Sequence, residues 1–342
     1  MNASRWTRVP IALLTAGLLA ATAVGAAAGD PFAGRWALTI PGGHAGWLEV
    51  RAEDGWYDGS MLWGWGSVLP LSSVTIADGV LTVTRVHEVE RKDAAGRVVR
   101  KQQLTETITA RAEGDNLKLT RLAPKEDGTG FETAAFTGRR IPALPPAPDL
   151  ARVKFGEPVT LFNGRDLSGW RLLEPGAENG WAAEGGALVN HAVEPGEGGE
   201  SHRHFGNLRT DATFSDFRLT LEVNVPAKSN SGVYLRGIYE VQVLDSYGQP
   251  LDSHNMGAIY SRITPSVAAE KPAGEWQTLD ITLVDRHATV VLNGRTIIDN
   301  QPVLGCTGGA ITSDESLPGP IYLQGDHGPV SFRNLVIRPV VR

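Results

Sequence analysis

The chain lacks the marks of several large functional classes. Its 342 residues include one cysteine, Cys306, so no disulfide can form within the chain. A lone thiol of this kind reads as a small buried hydrophobe rather than a nucleophile. Basic charge is not in excess either. Thirty-two Lys and Arg stand against 38 Asp and Glu, a net of −6, and the electrostatic footprint of a nucleic-acid binder is missing. No Walker A loop, His-Glu-x-x-His, Gly-x-Ser-x-Gly or Cys-x-x-Cys occurs. Nucleotide-dependent phosphoryl transfer, zincin chemistry and the α/β-hydrolase route therefore lose support. Long helical periodicity is nearly absent as well, which argues against βαβ alternation.

What remains is glycine, tryptophan and short alternating runs. Forty glycines and 42% hydrophobic residues suit two turn-rich globular domains and are too apolar for wholesale disorder. The first 28 residues stand apart. Arg5 and Arg8 precede an apolar run that ends in Val24-Gly25-Ala26 and Ala26-Ala27-Ala28, the layout of a signal peptide. The Ala/Gly-rich run and its cleavable end favour this over a retained anchor. No cysteine lies beside the cleavage point, so no lipid anchor is expected. The mature protein is expected to be exported, periplasmic or secreted, without a membrane anchor.

Residues 31–140 alternate in short runs punctuated by Asp54-Gly55, Asp78-Gly79 and Gly114-Asp115, the dipeptides that tight hairpins require. This predicts a small antiparallel β barrel or sandwich. Trp36, Trp47, Trp56, Trp63 and Trp65 fall here. An indole face can stack on a sugar ring, but core and rim packing is the plainer reading of aromatics in a small barrel. Four prolines between Pro142 and Pro148 make residues 141–152 a stiff linker.

Residues 153–342 are again strand-rich. "DFRLTLEVNVP" alternates Phe217, Leu219, Leu221, Val223 and Val225 with polar residues, and "EWQTLDITLVDRHATVVLNGRTII" reads as two strands with an Asn293-Gly294 turn. An all-β sandwich or jelly roll follows. In "NSGVYLRGIYEVQVLD" (230–245), Val233, Leu235, Val241 and Val243 share one face. Counting by twos puts Tyr234, Arg236, Ile238, Glu240 and Gln242 on the other, with Gly237 a candidate turn or bulge. Together with Glu222, Gln324, Asp326, His327 and Arg333 these polar residues suit either a solvated face or a floor that meets sugar hydroxyls with both donors and acceptors. His202 and His204 lie two apart as metal ligands do, but no third ligand accompanies them, and a solvated loop is the plainer reading.

Seven segments resemble the 3-keto-disaccharide hydrolase domain family, a concanavalin A-like jelly-roll group. They are "LFNGRDLSGW" (161–170), "DFRLTLEVNVPAKSNSGVYLRG" (216–237), "YEVQVLD" (239–245), "GAIY" (257–260), "KPAGEWQ" (271–277), "LNG" (292–294) and "GPIYLQGDHGPVSFRNLVIRP" (319–339). They occur in the family's order. Gln277 stands where the family usually has Asn, and the loop between "NSGVYLR" and "YEVQVLD" is shorter than in many relatives.

The resemblance implies cleavage of glycosides already oxidised to a ketone at C3, supplied by a separate oxidoreductase. The ketone acidifies the C2 proton, a base removes it, the C1 group leaves by elimination, and water adds back. Under that implication Glu240 is the first candidate base and Glu222 the second. Arg236 is the expected stabiliser of the enolate oxygen and His327 the acid. Gln242, Tyr234, Tyr260, Lys271, Gln324 and Arg333 are the expected substrate ligands. A divalent cation held by Glu240, Asp245 or His327 could replace Arg236. Three rival readings remain: a non-catalytic carbohydrate-binding module, a conventional glycosidase using Glu222 and Glu240 as paired carboxylates, and an adhesion scaffold.

Overall fold

The computed structural model describes residues 30–192 and 205–341. The expected leader and the His202–His204 pair lie outside these residues. Among the described residues every helix or strand is a strand.

The first nine are β1 (Gly34–Ile40), β2 (His44–Glu53), β3 (Trp56–Trp63), β4 (Leu69–Pro70), β5 (Ser73–Ala77), β6 (Val80–Lys92), β7 (Val98–Glu113), β8 (Asn116–Pro124) and β9 (Phe131–Arg140). They form one antiparallel sheet in the order β4-β3-β2-β1-β9-β8-β7-β6-β5. Asp54-Gly55, Asp78-Gly79 and Gly114-Asp115 each join consecutive paired strands. The sheet curls until β3 lies against β5, and the Leu71 amide donates to the Gly59 carbonyl. Trp36, Leu38, Leu48, Met61 and Ile108 fill the interior this creates.

The remaining strands are β10 (Val159–Thr160), β11 (Trp170–Leu172), β12 (Trp181–Glu184), β13 (Ala187–Asn190), β14 (Leu208–Thr210), β15 (Phe217–Asn224), β16 (Asn230–Leu235), β17 (Tyr239–Leu244), β18 (Trp276–Val284), β19 (His287–Leu292), β20 (Arg295–Pro302), β21 (Tyr322–Leu323) and β22 (Val330–Pro339). One sheet runs β12-β13-β22-β15-β18-β19-β20, with β10 also on β22; the other runs β11-β14-β21-β16-β17. Leu219, Leu221 and Val223 from the larger sheet meet Val233, Leu235, Val241 and Val243 from the smaller in one core. This is the expected concanavalin A-like sandwich.

Two local expectations change. "EWQTLDITLVDRHATVVLNGRTII" holds three strands, because Asp285 and Arg286 both take left-handed φ (48° and 60°) and turn the chain between β18 and β19. "NSGVYLRGIYEVQVLD" is a hairpin, not one strand. Arg236, Gly237 and Ile238 form a three-residue loop in which the first two take left-handed φ (56° and 65°), and the Ile238 amide donates to the Leu235 carbonyl at 3.0 Å. A loop of three residues, an odd number, keeps even-numbered residues opposite even-numbered ones, so Tyr234 pairs with Glu240 on a shared face. Arg236 belongs to the turn.

The curled sheet and the sandwich share packing. Ala45 to Leu48 of β2 are all buried, which a one-sided strand does not allow. Leu48 faces its own sheet's interior, whereas Ala45, Trp47 and Leu62 join the sandwich core. The Arg262 guanidinium lies 4.1 Å from the centre of the Trp47 ring. The proline-rich segment is tied down too: Arg286 donates to the Pro142 and Ala143 carbonyls, and Asn300 donates to Pro148. Trp47→Ala is expected to destabilise the protein by about 3–5 kcal/mol, as emptying a buried aromatic site does. Chemical denaturation measures this, and an unshifted transition would refute the shared packing.

Candidate active site

Strand register builds the floor of a cavity on the outer face of the smaller sheet. Tyr322 pairs with Tyr234, and Tyr234 with Glu240, which makes one row across β21, β16 and β17. The Gln324 amide donates to the Gly232 carbonyl and Gly232 pairs with Gln242, so Gln324, Gly232 and Gln242 make the next row. The glycine at the centre of this six-residue patch is required sterically. A Cβ on Gly232 would sit 2.4 Å from Glu240 Oε1, so the missing side chain is the space the carboxyl occupies.

Glu240 is 3% exposed. Its backbone amide donates to Thr307 Oγ1 at 2.9 Å, and its carbonyl accepts from the Tyr260 amide at 3.0 Å. The Tyr234 hydroxyl donates to Glu240 Oε2 at 2.9 Å and lies 2.8 Å from the Gly308 carbonyl. Burial pushes the Glu240 carboxyl up to about 8, against the opposing effect of the Tyr234 hydrogen bond; the negative charge of Asp326 adds to the rise. Tyr234 and Tyr322 stack with ring centres 3.8 Å apart, and burial holds both phenols well above their ordinary range.

The floor also presents unused polar atoms. Gln242 donates through Nε2 to Asn230 Oδ1 at 3.3 Å, but its Oε1 is buried without a partner, as is Oε1 of Gln324. A buried acceptor left unpaired costs about 1–3 kcal/mol, and both of these belong to side chains that line the cavity. His327 Nδ1 lies 2.8 Å from Asp326 Oδ1. Both residues line the cavity, as do Tyr260, Asn207, Asn230 and Glu174, whose carboxyl burial also raises. The volume is about 420 Å³, within the range of small-molecule sites.

Six of the residues expected from sequence therefore converge: Glu240, Gln242, Tyr234, Tyr260, Gln324 and His327. Others do not. Arg236 is turned away by the hairpin and donates to the Tyr239 hydroxyl on the core side. Glu222 lies on the outer face of the larger sheet, bound by Arg333 and Asn334, and those two donors hold its carboxyl below the usual range. The sandwich core separates it from Glu240, so the two cannot flank one scissile bond. Arg333 stacks over Trp276 at 3.9 Å on that same outer face. Lys271 donates to the Trp276 carbonyl, and its backbone is clasped by both ends of the Gln277 amide, which gives that departure from the family pattern a structural task.

Of the three candidate cation ligands, Glu240 and His327 line the cavity and Asp245 does not. Asp245 accepts from the Lys228 amide away from the cavity, and no group of three or more His, Cys, Asp or Glu suited to a metal occurs among the described residues. Cys306 is buried, and burial pushes its thiol up to about 12.

Sequence reading missed Tyr322, Glu174, Asn207 and the Gly308–Gly309 loop. Tyr322 was legible, since it alternates with Gln324 in "IYLQ". Glu174 and the loop reach the cavity only through tertiary folding. Of the five early tryptophans, Trp36 and Trp47 are buried and Trp63 is partly buried against the first core. Trp65 instead lines the cavity with His44.

The 3-keto-alpha-glucoside-1,2-lyase-like domain matches residues 157–338, a little over half of the chain. Among solved structures, two proteins of Parabacteroides distasonis named provisionally as glycosyl hydrolases are similar. One is 30% identical, covering 58% of this chain and 94% of that one with a TM-score of 0.43. The other is 20% identical, covering 54% and 94% with a TM-score of 0.42. No curated protein matches.

The position of Glu240 carries a sign-definite consequence for stability. Its carboxyl titrates near 8 when folded, against an ordinary value of 4.5. Between those values folding must take up a proton, so this group costs stability progressively as pH rises from 4.5 to 8, and the cost is then constant. Glu240→Gln, neutral and isosteric, is expected to gain on the parent protein by up to about 1.4 kcal/mol per pH unit across that window. Urea titrations at pH 5, 7 and 9 give the comparison, and a pH-independent difference would refute the raised value.

Proposed function

We propose that this chain, which belongs to the 3-keto-alpha-glucoside-1,2-lyase-like domain family, cleaves the glycosidic bond of glycosides carrying a ketone at C3. The observation that supports this most directly is the buried Glu240 carboxyl, raised to about 8 at the floor of a cavity with hydroxyl-seeking acceptors beside it. A carboxylate made more basic by burial suits abstraction of a carbon-bound proton, because base strength and working pH are brought together.

In this reading Glu240 removes the C2 proton, and the C–H electron pair forms the C2–C3 double bond as the ketone oxygen becomes an enolate. The enolate then re-forms the ketone and expels the C1 substituent, leaving a C1–C2 double bond. His327, oriented at Nδ1 by Asp326, gives the departing oxygen its proton. Water adding across C1–C2 completes net hydrolysis. No guanidinium or ammonium group from the described residues lines the cavity, so stabilisation of the enolate passes from Arg236 to neutral donors. The side-chain amides of Asn207 and Asn230 and the Tyr260 hydroxyl, which line the cavity, are the groups at hand.

Such a substrate requires an oxidoreductase that converts the C3 hydroxyl to a ketone. The composition of residues 1–28 supports action outside the cytoplasm, in the periplasm or beyond.

Incubation with 3-keto-glucosides beside their parent glucosides, with and without a chelator, tests the reaction. Cleavage of the keto forms alone is expected; turnover of the parents would indicate a conventional glycosidase, and binding without product a carbohydrate-binding module. Glu240→Gln should lower kcat/KM by about 10²–10⁴-fold, the usual contribution of a general base, and full turnover by this variant would remove Glu240 from the mechanism. Because the ionised form is the base, kcat/KM in the parent enzyme is expected to rise about tenfold per pH unit as pH approaches 8 from below.

A further inference from the structure

One wall of the cavity comes from outside the family-matched region. His44, at the start of β2, and Trp65, in the Gly64–Gly66 loop after β3, line it together with Tyr234, Glu240 and Gln324. Trp65 is 63% exposed although it sits at this junction, and its ring lies 4.3 Å from that of His44. Nothing in its own sheet's interior accounts for the position, since that core is filled by other residues.

The loop carrying Trp65 is fastened to the sandwich at several points. The Gly309 amide donates to the Gly64 carbonyl at 2.9 Å, Ser67 Oγ lies 2.8 Å from His254 Nε2, and the Val68 amide donates to Ser261 Oγ at 2.8 Å. Gly308 approaches Gly66 so closely that a Cβ would sit 2.3 Å from the Gly66 carbonyl oxygen. The same short stretch, Gly308–Gly309, supplies the carbonyls beside the Tyr234 and Tyr322 hydroxyls. The loop that carries the indole is thus anchored to the stretch beside the floor's tyrosines, which fixes the backbone of Trp65 before any ligand arrives.

We infer that Trp65, backed by His44, forms an aromatic platform for a second sugar ring, the one joined to the ring lodged over Glu240. The floor is polar and lined with acceptors, which suits hydroxyls and a ketone. The wall offers an exposed aromatic face, which suits the C–H face of a pyranose. The N-terminal sheet is on this view part of the binding site and sets a preference for disaccharides or other glycosides with a cyclic leaving group over simple alkyl glycosides. The identity of the first ring's chemistry rests on the function proposed above; the platform itself does not.

Calorimetric binding to Glu240→Gln separates the two. The probes are a glucose disaccharide and methyl glucoside, each in its C3-oxidised and parent form. The disaccharide is expected to bind more tightly than the methyl glycoside, and adding Trp65→Ala should weaken disaccharide binding about tenfold with little change for the methyl glycoside. Trp65→Phe should restore most of the preference. Trp56→Ala, which removes a comparably exposed indole elsewhere on the sheet, should leave the preference intact. Equal loss for both probes, or no loss for either, would overturn the platform. Trp65-dependent binding of the disaccharide by an enzyme that cleaves no keto-glycoside would overturn the chemistry and keep the platform. Failure of every probe to bind would overturn both.

Discussion

The constraint on which the site depends is the absence of a side chain at Gly232. Three neighbouring strands set six positions in two rows, and only an empty centre lets the Glu240 carboxyl lie down on the sheet instead of extending into water. Burial follows from that placement, and the raised titration follows from burial. The surrounding elements hold the carboxyl there. Residues 257–260 cover the outer edge of β17, and the 307–311 loop closes over the hairpin through Thr307 and Ile311. Each contact that orders this edge also removes solvent from the acid.

The same loop connects the sandwich to the curled sheet, which makes the cavity a product of two sheet systems. Trp47 is central to this. It turns its ring out of its own sheet and beneath Arg262, whose guanidinium also donates to the Cys306 carbonyl. The 305–311 segment is then pinned between Trp47, the Gly64–Gly66 loop and the tyrosine hydroxyls. Movement of the first sheet against the second would shift the two carbonyls that flank those hydroxyls. The wall and the floor are therefore mechanically coupled, whatever occupies the space between them.

Much of this was legible in the sequence, for reasons that can be located. Strand alternation reports burial directly, so β15 and the apolar faces of β16 and β17 were readable from their valines and leucines. The Asp-Gly and Asn-Gly dipeptides mark turns because their backbone must adopt positive φ. Arg236 was misread because its parity matched Tyr234 and Glu240, and parity carries no information about where a turn falls. Glu222 and Arg333 were misread because alternation says that a residue faces outward but not from which of two sheets. The Trp65 wall depends on contacts between residues some 240 positions apart, Gly64 with Gly309 among them, which no local pattern encodes.

Unpaired buried polar atoms are not by themselves the mark of this site. Trp47 Nε1 and Arg236 Nε are as unpartnered as the two glutamine oxygens. Their surroundings differ, however: Trp47 is pressed against the backbone at Gly305, and Arg236 lies along the Tyr239 ring, 5.4 Å from its centre. Those atoms face protein that has no room for a ligand, so their cost is set by packing alone. Gln242 and Gln324 line the cavity beside a carboxyl held away from its ordinary titration, where a turn of the amide brings the oxygen to a ligand. Local rules broken together around one accessible volume are what a functional site requires. By that criterion the catalytic argument belongs to the Glu240 row, and the outer-face cluster of Glu222, Arg333 and Trp276, whose charges are paired and whose rings are stacked, has no comparable deficit for a substrate to fill.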